Sequence, residues 1–334
     1  MTSAAIYGCA GLTLSDAEKS FFRDVSPWGF IIFARNIENP AQVAALTAEF
    51  RSVVGWNAPV LIDQEGGRVA RLRPPHWRSY PPGKRYGEIY DFDKSLGLEA
   101  AELGARLMAD ELLSVGVDVD CLPVLDVPVP GAHDVIGDRA YGTTPAKIAA
   151  LAAAASKGLL AGGVLPVIKH IPGHGRAGVD SHKSLPVVDT DHKMLSDTDF
   201  EPFKAFSDAP LAMTAHVIYS SIDRDHPATT SARLIEDIIR GEIGFTGCLM
   251  SDDLSMEALA GGLGERARAS LDAGCDLVLH CNGKMDEMLA IAAEVPTLEG
   301  TAFSRAKAAL SGRKTAKPID IAQAIERFSS LVAP

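Results

Sequence analysis

Val164-Leu165-Pro166-Val167-Ile168-Lys169-His170-Ile171-Pro172-Gly173-His174-Gly175, running on through Arg176 to Asp180-Ser181-His182, is the stretch on which the fold turns. Its first five residues form an apolar run of the length of a short buried strand. Pro172, Gly173, Gly175 and Gly178 then fall close together, and none suits a helix interior, so a loop follows. A buried strand that ends in Lys-His and opens into a glycine-rich loop with two more histidines and an aspartate has the layout of a site on a rigid scaffold.

The same kind of run recurs along the chain. Strands are expected at 4–9, 29–33, 60–63, 117–126, 164–170, 211–216, 248–252 and 276–280. Between them lie helix-like stretches, each with a start signal. Ser15 precedes Asp16 and Glu18, and Pro40 opens 41–54. Ser95 precedes 96–115, Pro145 opens 146–160, and Asp199 opens a short helix to 205. Ser231 precedes 232–240, and Ser255 precedes an amphipathic stretch to 273. Ser, Asp or Pro at such places satisfies or avoids the orphan N–H groups of a first turn. Strands that are continuously apolar and separated by helices read as a parallel sheet buried on both faces. A count of eight favours closure into an α/β fold of the (β/α)8 TIM-barrel kind. No GxGxxG follows the first strand, which removes the usual mark of an open doubly wound sheet. With no repeat or linker to divide it, the chain is expected to form a single domain over 1–334, with a helical tail from about 310 to 334.

Composition narrows the function classes. A formal charge of −11 argues against a general binder of nucleic acid or of an anionic membrane, since either needs a basic face. The cysteines, Cys9, Cys121, Cys248, Cys275 and Cys281, are odd in number and include no CxxC pair, which fits a reducing compartment better than a disulfide framework. The first residues carry no basic segment ahead of an apolar run, so no signal peptide is expected. No run approaches the roughly 18 apolar residues of a membrane helix. A cytoplasmic location is the default expectation, with a monomer favoured.

A barrel places its chemistry at the carboxyl ends of the strands. Asp63, Asp126, Lys169-His170, His216, Asp252-Asp253 and His280 with Asn282 fall at expected strand ends, which predicts a shared polar pocket there. Within it, Asp252 can attack an anomeric carbon and form a glycosyl ester; as one of an Asp-Asp pair near a helix start it can equally serve as an N-cap. Asp180 and His182, two apart, meet if the backbone is extended. A carboxylate on one ring nitrogen then leaves the other to donate or accept a proton. His174, between two glycines, is left outside the catalytic set. Asp63 and Arg71 can pair or bind hydroxyls bidentately, and Arg139, Lys169 and His170 add donors. Such a pocket suits a polyhydroxylated ligand.

At these residues the sequence resembles glycoside hydrolase family 3, specifically its compact bacterial cytosolic β-N-acetylglucosaminidases of NagZ type. The matching stretches are Ile62-Asp63-Gln64-Glu65-Gly66-Gly67-Arg68-Val69, Ile136-Gly137-Asp138-Arg139, the Lys169–Gly175 segment, Asp180-Ser181-His182 and Ser251-Asp252-Asp253-Leu254-Ser255-Met256. Ile171 stands where Phe is common in the family, and Arg176-Ala177-Gly178 also departs from it. The resemblance implies Asp252 as nucleophile, His182 as acid/base and Asp180 as its partner. It implies that Asp63, Arg71, Arg139, Lys169 and His170 hold a terminal N-acetylglucosamine. The implied substrates are muropeptides with GlcNAc β-1,4-linked to 1,6-anhydro-N-acetylmuramic acid, met in cell-wall recycling, and no cofactor or metal is implied. Two other readings of the residues stay open beside more distant ones, a Schiff-base aldolase through Lys169 and a non-catalytic sugar-binding protein. One is a metal-dependent barrel hydrolase using His170, His174, His182 and His216 with Asp252. The other is a phosphorylase, since a neutral histidine repels phosphate less than a carboxylate does.

Overall fold

The computed structural model describes residues 2–181 and 184–333. Eight parallel strands close into a barrel: β1 (Ser3–Tyr7), β2 (Pro27–Ile32), β3 (Val60–Ile62), β4 (Val119–Asp120), β5 (Leu165–Ile171), β7 (Leu211–Thr214), β9 (Cys248–Asp253) and β10 (Leu277–His280). β1 pairs with both β2 and β10, which leaves no open edge. A further two-residue pair, β6 (Val187–Val188) with β8 (Ile218–Tyr219), stands apart from the barrel.

Alternation along the strands sorts the apolar residues into two cores. Ile6, Leu61, Val119, Leu165, Val167, Leu211, Met250 and Leu277 pack with one another in one cluster, inside the barrel. Their neighbours Tyr7, Phe30, Val60, Ile62, Ile168, Ala212, Leu249 and Val278 pack outward in the larger cluster that includes the helices. This is why the strands read as unbroken apolar runs: both faces are buried, and each fully buried aliphatic contributes roughly 1.5–3 kcal/mol.

The helices are α1 (Asp16–Val25), α2 (Pro40–Val54), α3 (Gly83–Phe92), α4 (Lys94–Ser114), α5 (Pro145–Ala161), α6 (His192–Asp197), α7 (Glu201–Lys204), α8 (Leu263–Asp272), α9 (Met285–Ala292), α10 (Gly300–Ser311) and α11 (Ile321–Val332), with a π-helical stretch at Leu234–Glu242. α1 opens with the Ser15/Glu18 capping box, and Pro40 and Pro145 sit in the first turns of α2 and α5. Three starts differ from the sequence expectation. Asp199 does not cap α7, which begins at Glu201 behind Phe200; its carboxylate accepts from Arg176 and Thr198 instead. α4 is capped by Asp93, whose carboxylate accepts the Ser95 and Leu96 N–H groups, so Ser95 lies inside the helix. Ser255 opens no helix: its N–H and hydroxyl both bond to Asp253, and α8 begins only at Leu263 behind Gly262.

β4 is also shorter than the 117–126 expected for it. Pro123 has no N–H to give to the ladder. The chain stays extended beyond it, with Leu125 donating to the Lys169 carbonyl at 2.7 Å, but Asp126 lies past the strand proper.

Candidate active site

β5 carries a bulge at the place where its polar residues begin. Lys169 faces Met213 and Ile171 faces Thr214, so two residues advance on β5 for one on β7, with His170 as the extra one. A bulge re-aims side chains, and Lys169 and His170, although consecutive, line the same cavity. That cavity, of about 320 Å³, sits at the carboxyl ends of the strands and is also lined by Asp63, Glu65, Arg68, Arg71, Arg139, Asp180, Asp252 and Asp253. Ile31, Phe33, Met213, Met256, Leu279 and Cys281 supply its apolar part. The size and the mix of apolar wall with a few convergent polar groups suit a monosaccharide.

One wall is a ladder of alternating charge. Arg71 Nη2 donates to Asp63 Oδ2 at 2.9 Å, and Lys169 Nζ lies 2.9 Å from Asp63 Oδ1 and 2.6 Å from Glu65 Oε1. Arg139 completes it with two 2.8 Å bonds to Glu65. Burial opposes charge on these carboxyls, but the neighbouring cations win. Arg139 and Lys169 bring Glu65 down to about 2, and Lys169 with Arg71 hold Asp63 well below the usual carboxylate range. In turn Asp63 and Glu65 keep Lys169 protonated against its own desolvation. Side-chain exposure falls along the ladder from 25% at Arg71 and 16% at Asp63 to 2% at Lys169 and 4% at Glu65. The Asp63–Arg71 end is therefore the part best placed to meet a ligand, while Lys169 and Arg139 chiefly fix its shape. The Arg71 guanidinium also lies 5.0 Å from the Phe33 ring centroid.

Asp126 does not line the cavity; it is fully buried behind it. Its Oδ2 lies 2.7 Å from His170 Nδ1, and its Oδ1 accepts the backbone N–H groups of His170 (3.2 Å) and His174 (2.7 Å). Burial raises its carboxyl, but His170 outweighs that and brings it to about 2. His216 and His280 also fall outside the expected pocket. His216 bonds Thr229 Oγ1 at 2.7 Å and the Asp253 carbonyl at 3.1 Å, and His280 bonds Glu287 at 2.9 Å. Among the described residues no group of three or more His, Cys, Asp or Glu is arranged to hold a metal ion.

On the opposite side, β9 delivers Asp252 to the cavity. Its Oδ1 accepts the Asp253 N–H at 2.8 Å. Asp253 is tied down by Ser255 and the Cys281 N–H. Since α8 starts ten residues after Asp253, neither aspartate caps a helix. From the loop after β5, Asp180 reaches the same cavity, so Asp63, Arg71, Arg139, Lys169, His170, Asp180 and Asp252 are all brought together. His182 lies outside the described residues. The sequence reading gave no role to Glu65. The available signal was its place two residues beyond Asp63, where an extended chain puts it on the same face. The apolar Phe33 and Met256 carried no such signal.

His174, Glu65 and Asp126 each give stability a dependence on acid of the same sign. The His174 ring is pushed from 6.5 to about 4, mainly by burial, so the unfolded chain binds its proton first and stability is lost as pH falls through that window. Glu65 and Asp126, at about 2 against ordinary values of 4.5 and 3.8, contribute stability that is present above those ordinary values and lost as pH falls toward 2. Asp120, Asp118 and Asp199 oppose them: burial raises these carboxyls, so their contribution is lost as pH rises through the folded values. The melting temperature of His174→Gln should therefore fall less than the wild type's between about pH 6.5 and about pH 4, and an equal fall would contradict this assignment.

The geometry now meets its relatives. A family model described as "Glycosyl hydrolase family 3 N terminal domain" matches residues 11–310. A beta-hexosaminidase of Nitrosomonas eutropha is 40% identical over 286 residues, covering 84% of this chain and 81% of the relative. One of Neisseria meningitidis serogroup C is 41% identical over 281 residues, covering 82% and 76%. Among solved structures, NagZ from Neisseria gonorrhoeae in complex with N-trifluoroacetyl-D-glucosamine superposes with a TM-score of 0.89 at 33% identity, covering 100% of this chain and 99% of that one.

Proposed function

The chain belongs to glycosyl hydrolase family 3 and is a glycoside hydrolase of β-N-acetylhexosaminidase type, and from that premise we propose that it is a retaining exo-β-N-acetylglucosaminidase of peptidoglycan recycling. Its substrates are muropeptides bearing a terminal β-1,4-linked GlcNAc on 1,6-anhydro-N-acetylmuramic acid. The observation that carries this reading is the shared cavity: Asp252 from β9 and Asp180 from the β5 loop line it together with Asp63, Arg71, Lys169 and His170. The exposed Asp63–Arg71 end of the polar ladder accepts from and donates to the hydroxyls of the terminal sugar, aided by His170, while Lys169 and Arg139 complete the wall around it. The apolar wall of Met213, Met256 and Leu279 covers the less polar sugar face.

In the first step the Asp252 carboxylate attacks the anomeric carbon while the glycosidic C–O bond breaks. His182, polarised by Asp180, gives its proton to the departing oxygen. In the second, neutral His182 takes a proton from water, whose oxygen attacks the same carbon and releases Asp252. We read the enzyme as a monomer that acts through one catalytic domain, the barrel. Among the described residues no helix is long and apolar enough to cross a membrane. The cysteines are free and buried, a use that suits the cytoplasm.

The decisive test is mass spectrometry after reaction with a 5-fluoro N-acetylglucosaminyl fluoride: the expected result is a glycosyl label on the peptide containing Asp252. A label elsewhere, or turnover with no accumulating adduct, overturns the reading. In the presence of inorganic phosphate the released sugar should be free GlcNAc; sugar 1-phosphate would mark a phosphorylase instead. Activity should withstand a chelator.

A further inference from the structure

We propose that His174 is a positioning residue for the reaction: its imidazole latches Ser181 to the barrel rim and thereby sets where Asp180 stands. The proposal rests on the assignment of Asp180 and His182 as the acid/base pair. His174 is 3% exposed and Ser181 2%, and His174 Nε2 lies 2.9 Å from Ser181 Oγ. Both groups are thus withdrawn from water, where a hydrogen bond fixes geometry more firmly than at the surface.

The two ends of the latch differ in how they are held. The root of the loop is pinned to the barrel. The His174 N–H bonds the buried Asp126 carboxylate at 2.7 Å, and the Tyr219 hydroxyl donates to the Gly173 carbonyl. At Gly175 an added Cβ would lie 2.1 Å from the Val127 carbonyl oxygen, so the backbone there lies hard against the segment after β4. Ala177 N–H bonds the His174 carbonyl at 3.2 Å, and its own carbonyl accepts from His133 at 2.8 Å. Beyond it the chain rises: Gly178 and Val179 are exposed. It then comes back, with Ser181 buried against His174 and Asp180 on the cavity.

Successive residues therefore face opposite ways. Drawing Ser181 inward turns its predecessor toward the cavity. The Ser184 N–H bonds the Asp180 carbonyl at 3.1 Å, tying Ser184 to the same point. With its pKa pushed down to about 4, chiefly by burial and then by His170, the His174 ring is neutral where the enzyme works. The latch then holds by hydrogen bonding alone.

The test compares wild type with Ser181→Ala, His174→Gln, their double variant and His182→Ala as a benchmark. Each is assayed on a 2,4-dinitrophenyl and an alkyl N-acetyl-β-glucosaminide, with GlcNAc affinity and melting temperature measured alongside. Ser181→Ala should lower kcat/KM on the alkyl substrate by on the order of tenfold or more, because a misplaced acid forfeits much of the advantage of orientation. The dinitrophenyl substrate, which needs no proton, should lose less than about threefold, and GlcNAc affinity should stay unchanged, as in the weaker form of a lost acid. His174→Gln keeps an amide near the Nε2 position and should fall between wild type and Ser181→Ala. The double variant should be no slower than Ser181→Ala, since both changes remove one interaction. Equal losses on both substrates, or additive losses in the double variant, overturn the latch. If His182→Ala shows the leaving-group split and Ser181→Ala does not, the latch alone falls. If His182→Ala shows no split, the acid/base assignment falls and takes the latch with it.

Discussion

Asp252→Ala will lower kcat/KM by on the order of 10⁴-fold or more on any substrate, activated or not, because it removes the group that forms the covalent bond. Melting temperatures measured alongside separate this from a folding defect: Asp252 Oδ1 accepts the Asp253 N–H at 2.8 Å, and Asp252→Asn keeps that acceptor while removing the nucleophile. Adding azide to Asp252→Ala should restore turnover of a dinitrophenyl glycoside. The anion takes the place of the carboxylate and attacks the anomeric carbon, the aryl oxygen leaves, and the product is the inverted glycosyl azide. Residual activity within about tenfold of wild type would place the nucleophile elsewhere.

The second large effect is on stability. Lys169→Met should destabilise the protein by roughly 3–5 kcal/mol, the usual result of removing one partner from a buried ionic network. Asp63 and Glu65 both lose their shared ammonium, 2.9 and 2.6 Å away, while Met preserves much of the stem's apolar contact. Beneath them, burial pushes the Asp120 carboxyl well above its ordinary value, and its Oδ1 accepts the Gln64 N–H at 3.0 Å, so that side supplies a further carboxyl and not a compensating cation. Urea unfolding with an unchanged slope and a lower midpoint would report this. A shift below about 1 kcal/mol would mean that Arg71 and Arg139 alone balance the two carboxylates.

Both predictions turn on residues that the sequence exposes, and the reasons are physical. The barrel was legible because each strand is buried on both faces. An apolar run such as Cys248-Leu249-Met250 has no other use at that length, and eight such runs leave few ways to close a sheet. Lys169, His170 and Asp252 were legible because charge at the end of such a run must face a cavity or a partner. What stayed hidden depends on contacts between segments far apart in the chain. Asp126 and His216 look like Asp63, yet each is spent on a neighbour: Asp126 on two histidines, His216 on Thr229 and the Asp253 carbonyl. No pattern within either segment reveals that. Ser255 imitates a helix cap because its hydroxyl serves a turn at Asp253 instead, and local side-chain bonding of this sort is common to both settings. The π-helical stretch at Leu234–Glu242 carries the same apolar spacing as an ordinary helix.

Asp126 has one further consequence. A single carboxylate grips the cavity-lining ring of His170 and the root of the β5 loop at His174. In the proposed mechanism, recognition of the sugar and delivery of the proton are thereby bolted to one hidden post. Re-engineering the pocket for another hexosamine by substitutions that disturb His170 should then shift the root of the loop as a passenger, with gains in affinity accompanied by changes in turnover.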